Sequence, residues 1–267
     1  MNNLVSSIYK KSILTLKNVW FAEACNIDEM YKQARNEKID IIILHGIRYA
    51  IKTLNYTDQY TLFTDLSLSE DNLFAKITKN YRYEINRTEK ENILIKAYSS
   101  TDFLYEKALM DTFEKTYNRM YSEKGMNVVF NRKQFEAYLH DECLIITVGF
   151  WEGTPCVFHS YIFNEMKARL LYSTSNFRSD KDMASLIGRI NKALHWYDIK
   201  MLKKKGILLY DWGGISDRNA SNGIDKFKIS FGGYIEKYYN IFMGISLKGK
   251  AVIILRPYVL KALKLLK

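Results

Sequence analysis

The residues best suited to chemistry in this chain lie between Asn191 and Gly233. An apolar run over Ile207–Trp212, predicted as a strand, contains Asp211 near its end and stops at Gly213-Gly214. A carboxylate at the end of a buried strand, beside two glycines, is typical of a place where a ligand approaches the backbone. Partial burial would suit Asp211 to act as a general base. Capping of the glycine turn is the alternative role for this side chain.

A histidine on the preceding predicted helix is the second catalytic candidate. His195 lies four residues after Asn191 and three before Asp198, so these side chains edge the same helical face. Imidazole titrates near neutral pH, and the predicted role is therefore that of a base or a proton relay. Packing of the helix against a sheet is the alternative. A further histidine, His159, falls in a predicted strand and is expected to pack there.

Basic residues form the third group of candidates. Lys226 and Lys228 flank Phe227 and could bind an anionic substrate, and Lys79 and Arg82 could hold its phosphates from a predicted helix. The net charge of +11 and the pI of about 9.3 favour anionic partners, namely a nucleotide diphosphate, coenzyme A, RNA or an acidic membrane surface. A solvated basic surface that aids solubility is the alternative explanation.

The elements that must position these residues fall into two predicted parts, 1–100 and 101–267. The order of predicted elements indicates a mixed α/β layer fold. In the first part we predict strands over Asp40–Leu44, Tyr60–Leu66 and Ile93–Ala97, and a helix over Leu73–Thr88. In the second we predict helices over Phe103–Tyr121 and Lys133–His140, strands over Cys143–Trp151, Thr154–Phe163 and Ala168–Thr174, a helix ending at Gly206, and strands over Ile207–Trp212 and Tyr234–Ser246.

Composition limits the cofactors and the compartment. The three cysteines show no metal-ligand spacing, so we predict buried free thiols and no metal site. The N-terminus lacks the features of a signal peptide, and the longest apolar runs are too short to cross a bilayer, so a cytoplasmic location is expected. The C-terminal stretch from Arg256 is basic and amphipathic. Packing of a terminal helix is its favoured role, and contact with a membrane is the alternative.

Three motifs in this order resemble the GCN5-related N-acyltransferase superfamily, and more narrowly its FemABX-like branch. They are L-S-E-D-N-L-F-A-K-I-T-K-N-Y-R-Y-E-I-N-R-T-E-K, then N-x-x-L-H-W followed by Y-D-W-G-G, then F-K-x-x-F-G-G at Phe227–Gly233. The chain departs from the superfamily in lacking the phosphate loop Q/R-x-x-G-x-G/A after Arg178, where Gly188-Arg189 is the nearest substitute. It also lacks the helical arm that some members insert for transfer RNA.

The resemblance implies a doubled acyltransferase fold and a particular placement of substrates. The acyl donor would lie along a splayed strand, here Leu170–Ser175 with Ser173 and Thr174. The next helix would direct Gly188, Arg189 and Asn191 at a pyrophosphate, because a helix N-terminus favours anions. The implied activity is N-acyl transfer.

The substrates that the resemblance implies are acyl-CoA as donor and the amino group of a nucleotide-linked amino-dideoxy sugar as acceptor. The nucleotide would be dTDP, and the product would serve surface polysaccharide. An aminoacyl-tRNA-dependent transferase acting on a peptidoglycan precursor, as in FemX, is the enzymatic alternative. A non-enzymatic basic RNA-binding module is the alternative of another class, although the chain has no aromatic RNP motif. No DNA partner is expected.

Overall fold

The computed structural model of the chain describes residues 4–176, 183–216 and 222–265, with the side chains of the last range as far as residue 256. The strands are β1 (Val5–Lys11), β2 (Leu14–Trp20), β3 (Ile41–Ile47), β4 (Asn55–Asp65), β5 (Ile93–Ser99), β6 (Leu144–Trp151), β7 (Thr154–Phe163), β8 (Lys167–Ser175), β9 (Leu209–Ile215) and β10 (Tyr234–Gly244). The helices are α1 (Ile27–Asn36), α2 (Glu70–Lys76), α3 (Lys79–Thr88), α4 (Ser100–Tyr105), α5 (Lys107–Glu123), α6 (Arg132–His140), α7 (Ala184–Lys204), α8 (Gly223–Ile229) and α9 (Leu247–Leu265). Parallel and antiparallel strand pairs occur together, which confirms the predicted mixed α/β class.

The first of two compact units consists of residues 1–59 and 237–267. Its strands follow the order β1-β2-β3-β10, with β2 and β3 parallel and the other pairs antiparallel. Aliphatic side chains of α1 and of one sheet face form its core, and they include Val19, Ala34, Ile42, Leu44 and Ile241. The strands β1 and β2 lie in the region 1–40, to which the sequence assigned no element.

The second unit consists of residues 60–236 and contains every candidate site residue except those of the C-terminal tail. Its strands follow the order β4-β9-β8-β7-β6-β5, in which only β8 and β9 run parallel. A core of apolar and aromatic side chains, among them Leu73, Tyr161, Leu202, Trp212 and Phe231, joins this sheet to helices α2 and α7. The boundary at residue 100 that the sequence suggests falls inside this unit, and the division into 1–100 and 101–267 stays a prediction.

Three predicted elements differ from the observed ones. The helix predicted over Phe103–Tyr121 is observed as α4 and α5, which are separated at Glu106, where the backbone leaves the helical conformation. The helix predicted over Leu73–Thr88 is broken at Ile77 and Thr78, where the Thr78 N–H donates to the Ser230 carbonyl at 2.9 Å. The strand predicted to stop before the glycine pair continues through it to Ile215, because Gly214 pairs with β4. The three cysteines, Cys25, Cys143 and Cys156, are free and buried, as predicted.

The structure also tests whether any part of the chain could cross a membrane. Across the described residues, no helix combines the length and the apolar character that a bilayer span requires.

Candidate functional site

The parallel strands β8 and β9 diverge after a short paired segment. Their register contains three pairs and ends at Arg169 opposite Asp211. Beyond that point β8 continues to Ser175 against β7, and β9 continues to Ile215 against β4, with no further pair between β8 and β9 in the described register. Beyond the last pair, the backbone groups that face the gap between β8 and β9 do not pair with each other and can therefore pair with an extended ligand. We call this gap the β8–β9 fork.

A charged pair closes the narrow end of the fork. Arg169 Nη1 donates to Asp211 Oδ2 at 2.5 Å, and the two side chains are 12% and 9% exposed. Asp211 Oδ1 accepts the Gly213 N–H at 2.8 Å and also the hydroxyl of Thr61. Both carboxylate oxygens therefore have donors, and the Gly213 contact matches the capping role. Catalysis by Asp211 as a base stays a prediction, and it requires one of these donors to move away.

Lys228 brings a second cation to the fork from helix α8. Its Nζ donates to the Gly214 carbonyl at 2.7 Å. Burial lowers the pKa of Lys228 to about 8, and the positive charge of Arg169 adds to this effect, whereas Asp211 and Asp225 oppose it. Lys228 is therefore a cation at neutral pH that loses its proton only slightly above it.

Local sequence fixes the position of α8. Asn222 caps the helix by accepting the Asp225 N–H at 2.9 Å, and the buried Asp225 accepts the Ser216 N–H at 2.8 Å. At the other end, Gly233 has a φ of +120°, and a Cβ there would lie 2.3 Å from the Phe63 carbonyl oxygen. Only glycine fits this approach of the chain to β4.

A buried polar network lies beneath β9, where Tyr210 points to the opposite face from Asp211. Asp198 Oδ2 binds His159 Nδ1 at 2.7 Å and the Tyr161 hydroxyl at 2.6 Å. The Tyr161 and Tyr210 hydroxyls are 3.0 Å apart, and Tyr210 is 3.1 Å from His195 Nδ1. Each of these five side chains is at most 2% exposed, so the network is sealed from water.

One arrangement of protons satisfies the hydroxyl groups of this network. Burial, with smaller electrostatic contributions from His159 and Lys228, lowers the pKa of His195 well below its usual value. A neutral His195 with its proton on Nδ1 can donate to Tyr210, which donates to Tyr161, which donates to Asp198. This arrangement gives every hydroxyl one donor and one acceptor role, and it leaves His195 Nε2 as the unprotonated nitrogen.

The same residues are the only group in the described ranges with metal-ligand chemistry. The candidate ligand atoms of His159, His195 and Asp198 lie within 4.8 Å of one another. However, both ring nitrogens of His159 already bind protein atoms, Asp198 at 2.7 Å and Asn191 at 2.9 Å. The network is thus closed on itself through hydrogen bonds, although Asp198 Oδ1 is buried without a hydrogen-bond partner.

The predicted donor-site residues lie apart from one another. Ser173 and the buried Thr174 are on the diverging part of β8. Gly188, Arg189 and Asn191 belong to the second and third turns of α7, not to its first turn. Arg189 binds Glu91 through two nitrogens, at 2.9 and 2.8 Å, and Asn191 binds His159. Residues 177–182, which include Arg178 and precede α7 in the sequence, lie outside the described residues, and pyrophosphate binding stays a prediction.

The predicted acceptor-site cations also differ in their surroundings. Lys226 is exposed on α8, Lys79 is exposed at the start of α3, and Arg82 is half-buried one turn later. Lys228 is the member of the predicted substrate-binding group that contacts the β8–β9 fork, through the Gly214 carbonyl.

Sequence reasoning missed Arg169 and underrated His159. A single arginine in the apolar strand K-A-R-L-L-Y was a usable signal, but its partner Asp211 lies 42 residues away. Only the parallel register of β8 and β9 brings them together. His159 was predicted to pack, and it does lie buried on β7, but it also binds Asp198 and Asn191.

Comparison with known proteins gives evidence about the fold. No protein-family model matches the sequence, and no curated protein matches it. The crystal structure of FemX superposes with a TM-score of 0.61 at 14% identity, covering 94% of this chain and 86% of FemX. The chain has the FemX fold. The expected FemABX-like fold is thereby confirmed.

Two further solved structures share this fold. One is the C-terminal domain of a putative lysylphosphatidylglycerol synthetase from Agrobacterium fabrum, with a TM-score of 0.55 at 12% identity over 97% of this chain and 89% of that domain. The other is L-PGS from Bacillus licheniformis, with a TM-score of 0.53 at 13% identity over 95% of this chain and 85% of that chain.

Proposed function

We propose that this chain is an N-acyltransferase and that the β8–β9 fork is its reaction centre. The observation that carries the proposal is the position of Lys228, a cation with its pKa lowered to about 8, at the opening between two diverging parallel strands. The shared fold with FemX supports the same activity. An extended acyl donor would pair with the backbone of β8 near Ser173 and Thr174.

The chemistry follows from the groups at the fork. The amine nitrogen of the acceptor attacks the carbonyl carbon of the donor and forms the C–N bond. The C–S bond of a thioester, or the C–O bond of an aminoacyl ester, then breaks, and its electron pair leaves with the sulfur or oxygen. The ammonium of Lys228 stabilises the negative oxygen of the tetrahedral intermediate. A base must take the proton of the amine, and we propose Asp211 for this role, because the predicted alternative, His195, is sealed from water beneath β9.

The substrates that we propose are acyl-CoA and a nucleotide-diphosphate amino sugar. Coenzyme A and a dTDP-linked sugar are both anionic, and the net charge of +11 favours their binding. Lys226, Lys79 and Arg82 would provide cations for the phosphates. The product would be an acylated amino-dideoxy sugar for surface polysaccharide, made in the cytoplasm.

A FemX-like reaction has equal support from the fold. In that case the donor is an aminoacyl-tRNA and the acceptor a peptidoglycan precursor. The TM-score of 0.61 to FemX favours this second candidate as much as the first, because it reflects the fold and not the substrate.

A panel of donors and acceptors tests the proposal. The purified chain is incubated with acetyl-CoA, 3-hydroxybutanoyl-CoA or aminoacyl-tRNA, each with a dTDP-amino sugar or a peptidoglycan precursor, and products are detected by mass spectrometry. We expect one new amide. Lys228→Met should lower its rate 10²- to 10³-fold, as loss of an oxyanion donor does.

The matched control is Lys115→Met, an exposed lysine on α5, which should keep the wild-type rate. No amide from any pair, together with salt-dependent binding to RNA, would replace the proposal with the RNA-binding alternative.

A further inference from the structure

The C-terminal helix α9 turns aliphatic side chains outward. Leu247, Ile254, Leu255 and Val252 are 88%, 64%, 57% and 42% exposed. Ile253, in contrast, is 7% exposed and packs inward. Scattered exposed aliphatics are common in proteins, but four within nine residues of one helix form a patch that calls for a partner.

Helical geometry places these side chains on one face. At 100° per residue, the four exposed residues fall within an arc of about 160°, and Ile253 lies opposite its centre. The guanidinium of Arg256 also faces the body of its unit, where it lies 3.8 Å from the centre of the Phe242 ring. The helix therefore has an inner face that packs on its own unit and an outer apolar face.

The first turn of α9 is fixed to the same unit, so the outward direction of this face is set by the fold. Lys248 Nζ binds Asp40 Oδ2 at 2.9 Å and the Ile13 carbonyl at 2.8 Å. Ser246 donates to Asp40 Oδ1 at 2.5 Å and caps the helix by accepting the Gly249 N–H at 3.1 Å. Gly249 lies against Asp40, and a Cβ there would be 1.9 Å from the Asp40 carbonyl oxygen.

The charge of this segment selects the partner. Residues 247–267 contain six basic residues and no acidic one, and they are Lys248, Lys250, Arg256, Lys261, Lys264 and Lys267. A second copy of the chain would bring the same positive charge to the contact. A partner that matches both the basic residues and the exposed aliphatic side chains must be anionic at its surface and apolar beneath it. A bilayer that contains anionic lipid has both properties.

We propose that the outer face of α9 docks this protein on the surface of an anionic membrane. The aliphatic side chains enter the boundary between headgroups and acyl chains, and the exposed Lys250 binds a lipid phosphate. The helix lies in the plane of the interface, so no spanning segment is required. This proposal is independent of the transfer reaction.

Vesicle sedimentation of the full chain tests the proposal. We expect the protein to pellet with vesicles of equimolar phosphatidylcholine and phosphatidylglycerol, to stay in solution with phosphatidylcholine alone, and to dissociate at high salt. The double variant Ile254→Ser, Leu255→Ser should bind at least tenfold more weakly, because it removes about half of the exposed aliphatic area of the outer face. Lys250→Gln should bind about fivefold more weakly.

The matched control is Leu94→Ser, which replaces an aliphatic residue of similar exposure, 52%, on β5. It should bind as the wild type does. Thermal unfolding of each variant verifies that it is folded. Equal binding by the wild type and the double variant would overturn the proposal. The proposal would also be overturned if the wild type were a dimer that does not bind vesicles and the double variant were a monomer. That result would assign the outer face of α9 to self-association.

Discussion

Lys228 and Asp211 both lie near the β8–β9 fork, but their side chains differ in the number of hydrogen bonds that hold them in place. Asp211 receives hydrogen bonds on both oxygens, from Arg169 on one side and from Gly213 and Thr61 on the other. Lys228 makes one described hydrogen bond, to the Gly214 carbonyl, and burial brings its pKa to about 8. Lys228 can therefore change its contacts more easily than Asp211. For this reason we propose that Lys228 stabilises the negative oxygen of the tetrahedral intermediate.

A prediction at the residue scale concerns the buried polar network beneath β9. Tyr161→Phe removes a hydroxyl that donates to Asp198 at 2.6 Å and lies 3.0 Å from the Tyr210 hydroxyl. We expect the free energy of unfolding to fall by about 1–3 kcal/mol, because the buried carboxylate loses a donor. Denaturant unfolding at neutral pH measures the change.

Tyr83→Phe is the control, since Tyr83 is 66% exposed and its hydroxyl can bind water. Equal stability of the two variants would show that the Tyr161 hydroxyl contributes nothing to the network.

The sequence predicts the helices and strands of this chain well where local pattern determines their bounds. It predicts them poorly where tertiary contacts determine their bounds. The helix and strand order from α5 to β10 follows from apolar periodicity and turn residues. The break at Thr78 does not, because it depends on a hydrogen bond to Ser230 far along the chain. The continuation of β9 through Gly213 and Gly214 likewise depends on pairing with β4.

The candidate site shows the same limit. The motif positions Asp211 and Lys228 were found from sequence, and the structure places both near the fork. Arg169 was missed because strand register, which no local pattern encodes, aligns it with Asp211. His159 was underrated for the same reason, since Asp198 and Asn191 reach it from another element.

The glycine after α8 gives a prediction at the element scale. Gly233→Ala adds a Cβ 2.3 Å from the Phe63 carbonyl oxygen at a φ of +120°. We expect a loss of about 1–3 kcal/mol in the free energy of unfolding, and a lower transfer rate because α8 carries Lys228.

Gly223→Ala, at the first residue of the same helix, is the control, because its Cβ would meet nothing within 4 Å. It should change stability by less than about 0.5 kcal/mol. If the two alanine variants were equally stable, the close approach at Gly233 would not constrain the helix.

At the scale of the whole molecule, charge and fold give separate information. The chain shares the FemX fold over 94% of its length, and within that fold β8 and β9 stop pairing where we propose that the acyl donor binds. The net charge of +11 favours anionic ligands, and the basic residues of α9 underlie the proposed docking on an anionic surface. Neither the fold nor the charge identifies the acceptor, so the panel of donors and acceptors is needed to assign the substrates.

The most direct test of the central claim is the pH dependence of kcat/KM for the wild type and for Lys228→Met, measured with the substrates that the panel identifies. Ionisation of the acceptor amine affects both proteins equally. The ratio of the wild-type kcat/KM to that of Lys228→Met therefore reports the contribution of Lys228 alone. A protonated Lys228 should give a ratio of about 10²–10³ that is constant below pH 8 and decreases as pH rises above it. A ratio near one at every pH, or a ratio that increases above pH 8, would contradict the account.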